Sequence, residues 1–285
     1  MEDRKIFRKE KFMTVSDIAG IIEEIAPNGL QEEWDNSGLL IGFENKPVVK
    51  LLTCLEINEE VVREAIRVGA DMVVTHHPLI FQGVKAVRSS DYKGRVLMEL
   101  IEHEISVYSC HTPFDKVKGG NNDIIAERLG LTDIRNLNGD DVASPAKMIS
   151  NRQEADIGRT GRFKKPVSYM QLIETAANQL NMSIRDFRAV GSLDTEIAKV
   201  GICTGAGADL VNMAAEAGCQ LMITGDVKYH DAHTALEKGI CLLDAGHYGT
   251  EKFFAAAMRE KLEKKLSGKV EIAESTVSLD PFKIL

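Results

Sequence analysis

The sequence predicts an α/β fold made of two related α/β lobes. A strand, a helix and a second strand follow one another between Lys50 and His77, and the same order returns without a gap between Lys199 and Asp226. Each unit is followed by a further strand that ends in a histidine, with a carboxylate four residues later. The composition, 44% hydrophobic and 27% charged, is that of a globular protein with a sizeable core. Strands joined by such a short helical crossover run parallel.

The first lobe, predicted over about 14–135, opens with a helix. Thr14 and Ser16 offer N-cap oxygens, and apolar residues at helical spacing follow on one face. These are Ile18, Ile21, Ile22 and Ile25. The segment Pro27-Asn28-Gly29 ends this helix.

The repeated unit then begins with a buried strand over 48–55. A helix over 58–68 is ended by Gly69, and a second strand covers 71–75. A later strand over 105–111 ends in a histidine.

The second lobe, predicted over about 165–240, follows a polar connection over 136–165. It opens with an amphipathic helix over 168–180 and then repeats the unit of the first lobe. Identical pairs in the two units include Lys50/Lys199, Cys54/Cys203, Ala65/Ala214, Gly69/Gly218 and Thr75/Thr224. The alternative is that any two strand–helix–strand units look this similar. A strand over 241–247 and a helix over 251–266 complete the pattern.

The composition limits where in the cell the protein is expected and which partners it is expected to bind. The net charge of −8 argues against a broad nucleic-acid surface, which requires clustered lysine and arginine. No apolar run approaches a membrane span, and the charged tail over 1–12 leads into no apolar signal segment. The five cysteines form no CxxC pair, which is typical of reduced thiols. We therefore expect a cytoplasmic protein without membrane or nucleic-acid partners.

Histidines are concentrated at the predicted strand ends, where parallel α/β sheets bind ligands. His76 and His77 follow the second strand directly, and Pro78 bends the chain after them. Two imidazoles that diverge from one turn can each hold a different metal ion. The alternative is a surface turn that happens to contain two histidines.

Carboxylates accompany the other strand-end histidines. His247 and Glu251 lie four residues apart, on one face of a helix start, and Asp115 follows His111 at the same spacing. Imidazole with carboxylate is a ligand set for Zn, Mn or Fe, and a carboxylate can bridge two ions. The alternative for each pair taken singly is a capping or surface contact.

Two loops offer further polar groups. The segment from Gly225 to Asp231 places Asp226, Lys228 and His230 where they can bind substrate or move protons, although a purely structural loop is the alternative. Trp34, the only tryptophan, precedes Asp35 in a segment that we expect to be a buried turn. Gly205-Ala206-Gly207 is too short for a dinucleotide fingerprint, and no GxSxG or Walker A motif occurs.

Several motifs together closely resemble the Nif-three-like family, also described as dinuclear metal-centre hexameric proteins and as GTP cyclohydrolase 1 type 2 homologs. The resemblance runs from about Thr14 to Ile272. It is carried by the segments Trp34–Leu39, Thr75–Phe81, His111–Asp115, Gly119–Asp123, Gly225–His230 and Asp244–Glu251.

The resemblance implies a single unit over 13–285, in which residues 241–285 return to the first lobe, and a ring-shaped homohexamer. It matches the short form of the family, without an inserted domain. It also implies two divalent ions per subunit, of Zn, Mn, Fe or Ni. Their ligands would be His76, His77, Asp115, His247 and Glu251.

The expected function is metal-dependent hydrolysis of a nucleotide-like, anionic small molecule. Candidate catalytic residues are His111, His230 and Asp226, and candidate substrate contacts are Asp35, Lys228 and Tyr229. The alternative is a non-catalytic metal-binding scaffold, metallochaperone or regulatory adaptor, because no definite nucleophile or base stands out beyond the metal ligands.

Overall fold

The computed structural model describes residues 12–142 and 157–283, which are organised around two mixed sheets. The predicted tail, except its last residue, and residues 143–156 of the predicted connection lie outside the described residues. Within them, no helix combines the length and apolar character needed to cross a bilayer. The prediction of two α/β lobes is confirmed.

The first sheet has five strands in the order β1-β4-β3-β2-β11. They are β1 (Gly38–Ile41), β2 (Lys50–Cys54), β3 (Met72–Thr75), β4 (Ser106–Ser109) and β11 (Glu271–Glu274). Strands β2 and β3 are parallel, as their short crossover predicts, and only β1 runs antiparallel to its neighbour. The carboxyl ends of β2, β3 and β4 therefore meet at one edge of the sheet.

Five helices belong to the segment around this sheet: α1 (Val15–Ile25), α2 (Glu59–Val68), α3 (Tyr92–Glu102), α4 (Thr112–Lys116) and α5 (Asn121–Arg128). Thr14 is the N-cap of α1, accepting from the backbone N–H of Asp17, whereas Ser16 lies inside the helix. Gly69 ends α2 in the left-handed conformation, with φ +70°, which glycine adopts without a Cβ penalty.

Alternate residues of the strands point to opposite faces, and each face is covered by helices. Leu51 and Met72 pack on the side of α1, whereas Leu52 and Val73 pack on the side of α2 and α3. This double coverage explains why β2 and β3 have apolar residues at consecutive positions rather than in alternation.

The second sheet has six strands in the order β5-β6-β8-β9-β10-β7. They are β5 (Thr132–Asn136), β6 (Arg159–Ser168), β7 (Arg188–Val190), β8 (Glu196–Ile202), β9 (Leu221–Thr224) and β10 (Cys241–Asp244). The further α-helices within the described residues are α6 (Tyr169–Gln179), α7 (Val211–Glu216), α8 (Tyr229–Lys238), α9 (His247–Glu251) and α10 (Phe254–Leu266). Strands β8, β9 and β10 are parallel and repeat the order of the first lobe.

Two boundaries differ from the sequence prediction. Strand β6 occupies the end of the predicted polar connection and pairs with strands on both edges. Its polar composition is explained by Arg162, Lys164 and Lys165, which are exposed. Strand β10 ends at Asp244 and pairs with β9, so the chain returns to the first sheet after this strand. The return consists of α10, which packs against β2, and of β11, which pairs with β2.

Arg159 at the start of β6 is fully buried and connects the two lobes. Its Nε donates to Asp123 Oδ1 at 2.5 Å, and its Nη1 donates to Asn136 Oδ1 at 3.0 Å. Its Nη2 donates to the carbonyl of Lys116. Because every branch of the guanidinium is bonded, its burial is compensated by the fold.

Arg159→Met is expected to lower the free energy of unfolding by about 3–5 kcal/mol, because it leaves the buried Asp123 carboxylate without its cation. Urea unfolding measures the loss. Lys265→Met is the control, since it removes an exposed pair with Glu24 and should change stability by less than about 1 kcal/mol. Equal effects of the two substitutions would contradict the structural role of Arg159.

Glu64 on α2 holds the segment that follows β11. Its buried carboxylate accepts from the hydroxyl of Thr276 at 2.6 Å and from the hydroxyl of Ser275. Burial acts to raise the pKa of Glu64, but these hydrogen bonds hold it below the ordinary value of 4.5. The stabilisation is therefore complete above pH 4.5 and is lost as the pH falls through the lower pKa of the folded state.

Glu64→Gln is expected to lower the free energy of unfolding by about 1–3 kcal/mol at neutral pH. The difference from the wild type should shrink below about pH 4.5, where the wild-type carboxylate also takes up a proton. Urea unfolding at both pH values tests this, with Glu60→Gln as the control on the exposed side of the same helix. A difference that does not depend on pH would refute the role of the charged carboxylate.

Candidate metal centre

The candidate site lies where the carboxyl ends of strands from both sheets meet. His76 and His77 follow β3, and His111 follows β4 after one further residue. From the second sheet, β10 leads through two residues to α9, whose first and last residues are His247 and Glu251. The predicted concentration of histidines at this edge is thus a property of the fold.

Glu251 lies at the centre of the cluster, and its side chain is 3% exposed. Its Oε2 is 2.9 Å from His77 Nε2 and 3.0 Å from His247 Nε2, and these two nitrogens are 3.2 Å apart. These three side chains form the first of two triads that share Glu251.

The other carboxylate oxygen of Glu251 belongs to a second triad with His76 and Asp115. Glu251 Oε1 is 3.6 Å from His76 Nε2, and Asp115 Oδ1 is 3.7 Å from the same nitrogen. Asn121 donates to Asp115 Oδ1 at 2.8 Å, which fixes the aspartate in place. One carboxylate therefore presents its two oxygens to two separate groups of ligand atoms.

These donor sets fit divalent ions. Ligands bound at about 2.0–2.2 Å in tetrahedral geometry lie roughly 3.3–3.6 Å from one another, close to the separations found in both triads. Imidazole nitrogens and carboxylate oxygens are borderline-to-hard donors that suit Zn, Mn, Fe or Ni. The predicted ligands come together in these triads.

Each ligand histidine is oriented through its outer nitrogen. His76 Nδ1 lies 3.0 Å from the carbonyl oxygen of Cys110, which can only accept, so Nδ1 donates, and in the neutral ring Nε2 keeps its lone pair. His247 Nδ1 lies 2.8 Å from Asp226, and His77 Nδ1 lies 3.5 Å from Glu56. All three rings therefore direct Nε2 into the cluster.

The surrounding carboxylates attract positive charge to the histidines. Burial disfavours a charged His77 ring, yet Glu251 and Glu56 raise its pKa to about 10. Burial acts in the same direction on His247, whose pKa Glu251 and Asp226 raise to about 9. Carboxylates thus dominate the electrostatics of this edge.

The pKa values of the two buried carboxyl groups, Asp115 and Glu251, are shifted in opposite directions. Burial raises the pKa of Asp115, and the nearby charge of Glu251 adds to this effect. Burial opposes ionisation of Glu251 as well, but the charge of His76 and hydrogen bonds from the histidines hold its pKa well below the ordinary value. Two carboxyls this close are best accommodated around cations.

Gly205 lies directly against the shared carboxylate and was not singled out from the sequence as a site residue. A Cβ at this position would lie 2.3 Å from Glu251 Oε1 and 3.3 Å from His247 Nε2. The backbone has φ +68°, which favours glycine, and the amide donates to Thr250 Oγ1 at 2.9 Å. The signal in the sequence that could have identified this position was the glycine itself. It lies in the loop after β8, which corresponds to the loop after β2 in the first lobe.

Asp35 orients His111 rather than facing open space. Its Oδ1 is 2.8 Å from His111 Nδ1, and its Oδ2 accepts from Thr112 and Ser37. Burial acts to raise the pKa of Asp35, but its bonds to His111, Thr112 and Ser37 hold it well below the usual range. The Asp35 side chain has no exposed area and contacts His111 directly. Its predicted role as a substrate contact stays a prediction.

His111 itself joins the cluster, since it forms a third group of ligand atoms with His76 and His77. Of the other candidate catalytic residues, Asp226 reaches the outer nitrogen of His247 and adopts a left-handed backbone conformation with φ +54°. A non-glycine residue in this conformation at a strand end is strained, which is common at functional sites.

Lys228, Tyr229 and His230 stand apart from the triads. They are exposed at the start of α8, where the Tyr229 ring contacts His230 and His233. Among the described residues, none of the three makes a hydrogen bond or ring contact with a member of the triads. Their predicted roles in binding and proton transfer stay predictions.

Trp34 differs most from its expected environment. The turn that contains it was predicted to be buried, but its side chain is 57% exposed. The ring lies 5.9 Å from the His111 ring, measured between centroids. Hydrogen bonding of Asp35 to His111 holds this turn at the surface beside the site.

The fold and site together define a two-lobed α/β protein with a buried histidine–carboxylate centre between its sheets. The chain belongs to the Duf34/NIF3 (NGG1p interacting factor 3) family, whose model matches residues 13–281. A Clostridium perfringens relative named "GTP cyclohydrolase 1 type 2 homolog" is 35% identical over 273 residues, covering 96% of this chain and 100% of the relative. A Helicobacter pylori relative named "GTP cyclohydrolase 1 type 2" is 33% identical, covering 87% and 91%.

Solved structures support the same assignment. A Bacillus cereus protein related to NIF3 has a TM-score of 0.86 at 26% identity, covering 96% of this chain and 100% of that protein. Reduced HcgD from Methanocaldococcus jannaschii has a TM-score of 0.76 at 27% identity, covering 93% and 98%. The resemblance found in the sequence motifs is therefore confirmed.

Gly205→Ala is expected to displace the Glu251 carboxylate and to lower the metal content of the purified protein. Gly218→Ala is the matched control, because Gly218 has a similar φ of +76° but open space around its Cβ position. Both variants should lose about 1 kcal/mol of stability to the left-handed alanine. Elemental analysis should show reduced metal only for Gly205→Ala, and equal metal in both variants would contradict the contact.

Proposed function

We propose that this chain binds two divalent metal ions and uses them to hydrolyse a nucleotide-like small molecule. The observation that carries the proposal is the division of Glu251 between two triads, one oxygen to each. The proposed ligands of one ion are His77, His247 and Glu251, and those of the other are His76, Asp115 and Glu251.

Catalysis rather than storage is favoured by the number of ligands. Three donors per ion, with one shared, leave coordination positions for water or substrate, whereas structural sites are closed. Ions bound there would supply an activated water and a Lewis acid that polarises the bond to be cleaved.

His111 is the protein group best placed to assist. Its Nδ1 lies against the Asp35 carboxylate, which can only accept, so this nitrogen carries the proton and Nε2 has the free lone pair. His111 can therefore accept a proton at Nε2 or orient a water there, beside the His76 and His77 rings. Asp226 acts on the same centre indirectly, by fixing the ring of His247.

The substrate class is inferred from the relatives. Their names refer to a GTP cyclohydrolase, whose chemistry is hydrolytic opening of a purine ring. A site with two cations also suits an anionic substrate, and Lys228 can contribute a further positive charge from the start of α8.

Assembly and location form part of the proposal. We propose a homohexamer on the resemblance to the family, and a cytoplasmic location on the odd number of cysteines and the lack of a CxxC pair in the sequence. Nucleic-acid binding is disfavoured by the net charge of −8.

Metal content tests the two-ion arrangement. The wild type should contain about two ions per chain, because each triad is a complete ligand set. Asp115→Asn and His247→Ala should each lose about one ion, and Glu251→Gln should lose metal from both triads. Elemental analysis of folded protein measures this, with His233→Ala as the control for loss of an exposed histidine. A single ion in the wild type, or full metal in Glu251→Gln, would refute the shared carboxylate.

Turnover by metal-loaded protein tests the hydrolase assignment. GTP and a panel of nucleotides, pterin precursors and phosphoesters should include a substrate whose hydrolysis disappears in Glu251→Gln. Metal bound at two ions per chain without turnover, together with rapid transfer to a client protein, would instead support the metallochaperone alternative.

A further inference from the structure

Two exposed aromatic side chains stand beside the candidate metal centre. Trp34 is 57% exposed and Phe81 is 45% exposed, and their ring centroids are 6.1 Å apart at an interplanar angle of 54°. They come from separate parts of the chain, one from the turn before β1 and the other from the loop after β3.

His111 connects these rings to the metal triads. Its ring centroid is 5.9 Å from that of Trp34 and 6.4 Å from that of Phe81. On its other side it is 5.1 Å from the His76 ring and 5.8 Å from the His77 ring. A molecule that rests on the two aromatic rings is therefore one ring away from the metal ligands.

The loops that carry the two rings are fixed to each other and to the site. Asn36, two residues after Trp34, donates from its side chain to the backbone carbonyl of Ile80, the residue before Phe81. Asp35 bonds to His111 and Thr112, and the Glu32 amide donates to Thr112 Oγ1 at 3.0 Å. The rings are thus held in place in the free protein, so little ordering is needed when a ligand binds.

We propose that Trp34 and Phe81 form a ring-stacking subsite, which holds the planar nitrogen heterocycle of the substrate beside the metal centre. The identification of that heterocycle as a nucleobase rests on the proposed function. Aromatic side chains bind bases through their faces, and this contact is tolerant of base identity because every base has a π face. The two rings select for planarity, and the metal centre acts on the bound ring or on its attached groups.

The size of the patch favours a small ligand over a second copy of the chain. Two aromatic side chains bury at most about 400–500 Å² between them. A stable protein interface buries about 1,200–2,000 Å² in total. Proximity to His111 also gives the patch a position that substrate contact explains and subunit packing does not.

The fluorescence of Trp34 reports this contact directly, since the chain has one tryptophan. GMP should quench the emission with a saturable dependence on concentration when excitation is at the red edge of the indole band, where purines absorb little. Ribose 5-phosphate, which has the sugar and phosphate but no ring, should leave the emission unchanged. Equal effects of the two probes would overturn the subsite.

Phe81→Leu should weaken GMP binding by about 5- to 20-fold, because one of the two aromatic contacts with the base is lost. Its metal content should equal that of the wild type, which shows that the centre is intact. Phe282→Leu is the control, as Phe282 is a more exposed phenylalanine, and the ring contacts at the site within the described residues do not involve it. Equal GMP affinity in the two variants would overturn the proposal.

The outcomes separate this subsite from the proposed function. Saturable GMP quenching without turnover of any substrate would retain the subsite and reject the hydrolase. Turnover of a phosphoester that lacks a ring, without GMP quenching, would retain the hydrolase and reject the subsite. An emission change that follows protein concentration alone and blocks GMP would show that a second copy covers the rings, and would also reject the subsite.

Discussion

The buried Glu251 carboxylate is the interaction on which the arrangement of this protein depends. A carboxylate that is 3% exposed is costly unless it is compensated, and its compensation comes from both lobes. His76 and His77 approach it from the first sheet, while His247 belongs to the helix after the second sheet. The strand ends of the two sheets must therefore face one another. Any change in the relative position of the lobes would separate these charges.

The path of the chain satisfies this constraint. Helix α9 begins three residues after a strand of the second sheet, and the chain then runs through α10 to β11 at the edge of the first sheet. The helix that carries His247 and Glu251 is thus the point at which the chain crosses between the lobes. Arg159 connects the lobes at a second, buried point through Asp123 and Lys116. The geometry of the candidate site consequently depends on how the two lobes pack against each other.

Much of this could be predicted because it is local. Apolar periodicity and capping residues such as Thr14 and Gly69 set the main helices, and histidines at strand ends indicated the site. The environment of Trp34 could not be predicted, since its exposure depends on Asp35 reaching His111 across 76 positions of sequence. The role of Gly205 could not be predicted for the same reason, because its need to be glycine arises from contact with Glu251.

The candidate site has buried, charged side chains at its centre and exposed aromatic side chains at its edge. Glu251 and Asp115 are buried, and cations are the groups best able to compensate their charges. Trp34 and Phe81 are exposed and uncharged, and they interact with a ligand through shape and stacking instead. His111 lies between the two zones and contacts both. If the proposed subsite is correct, substitutions at Trp34 and Phe81 would change which ligand binds while leaving the buried histidine–carboxylate triads unchanged.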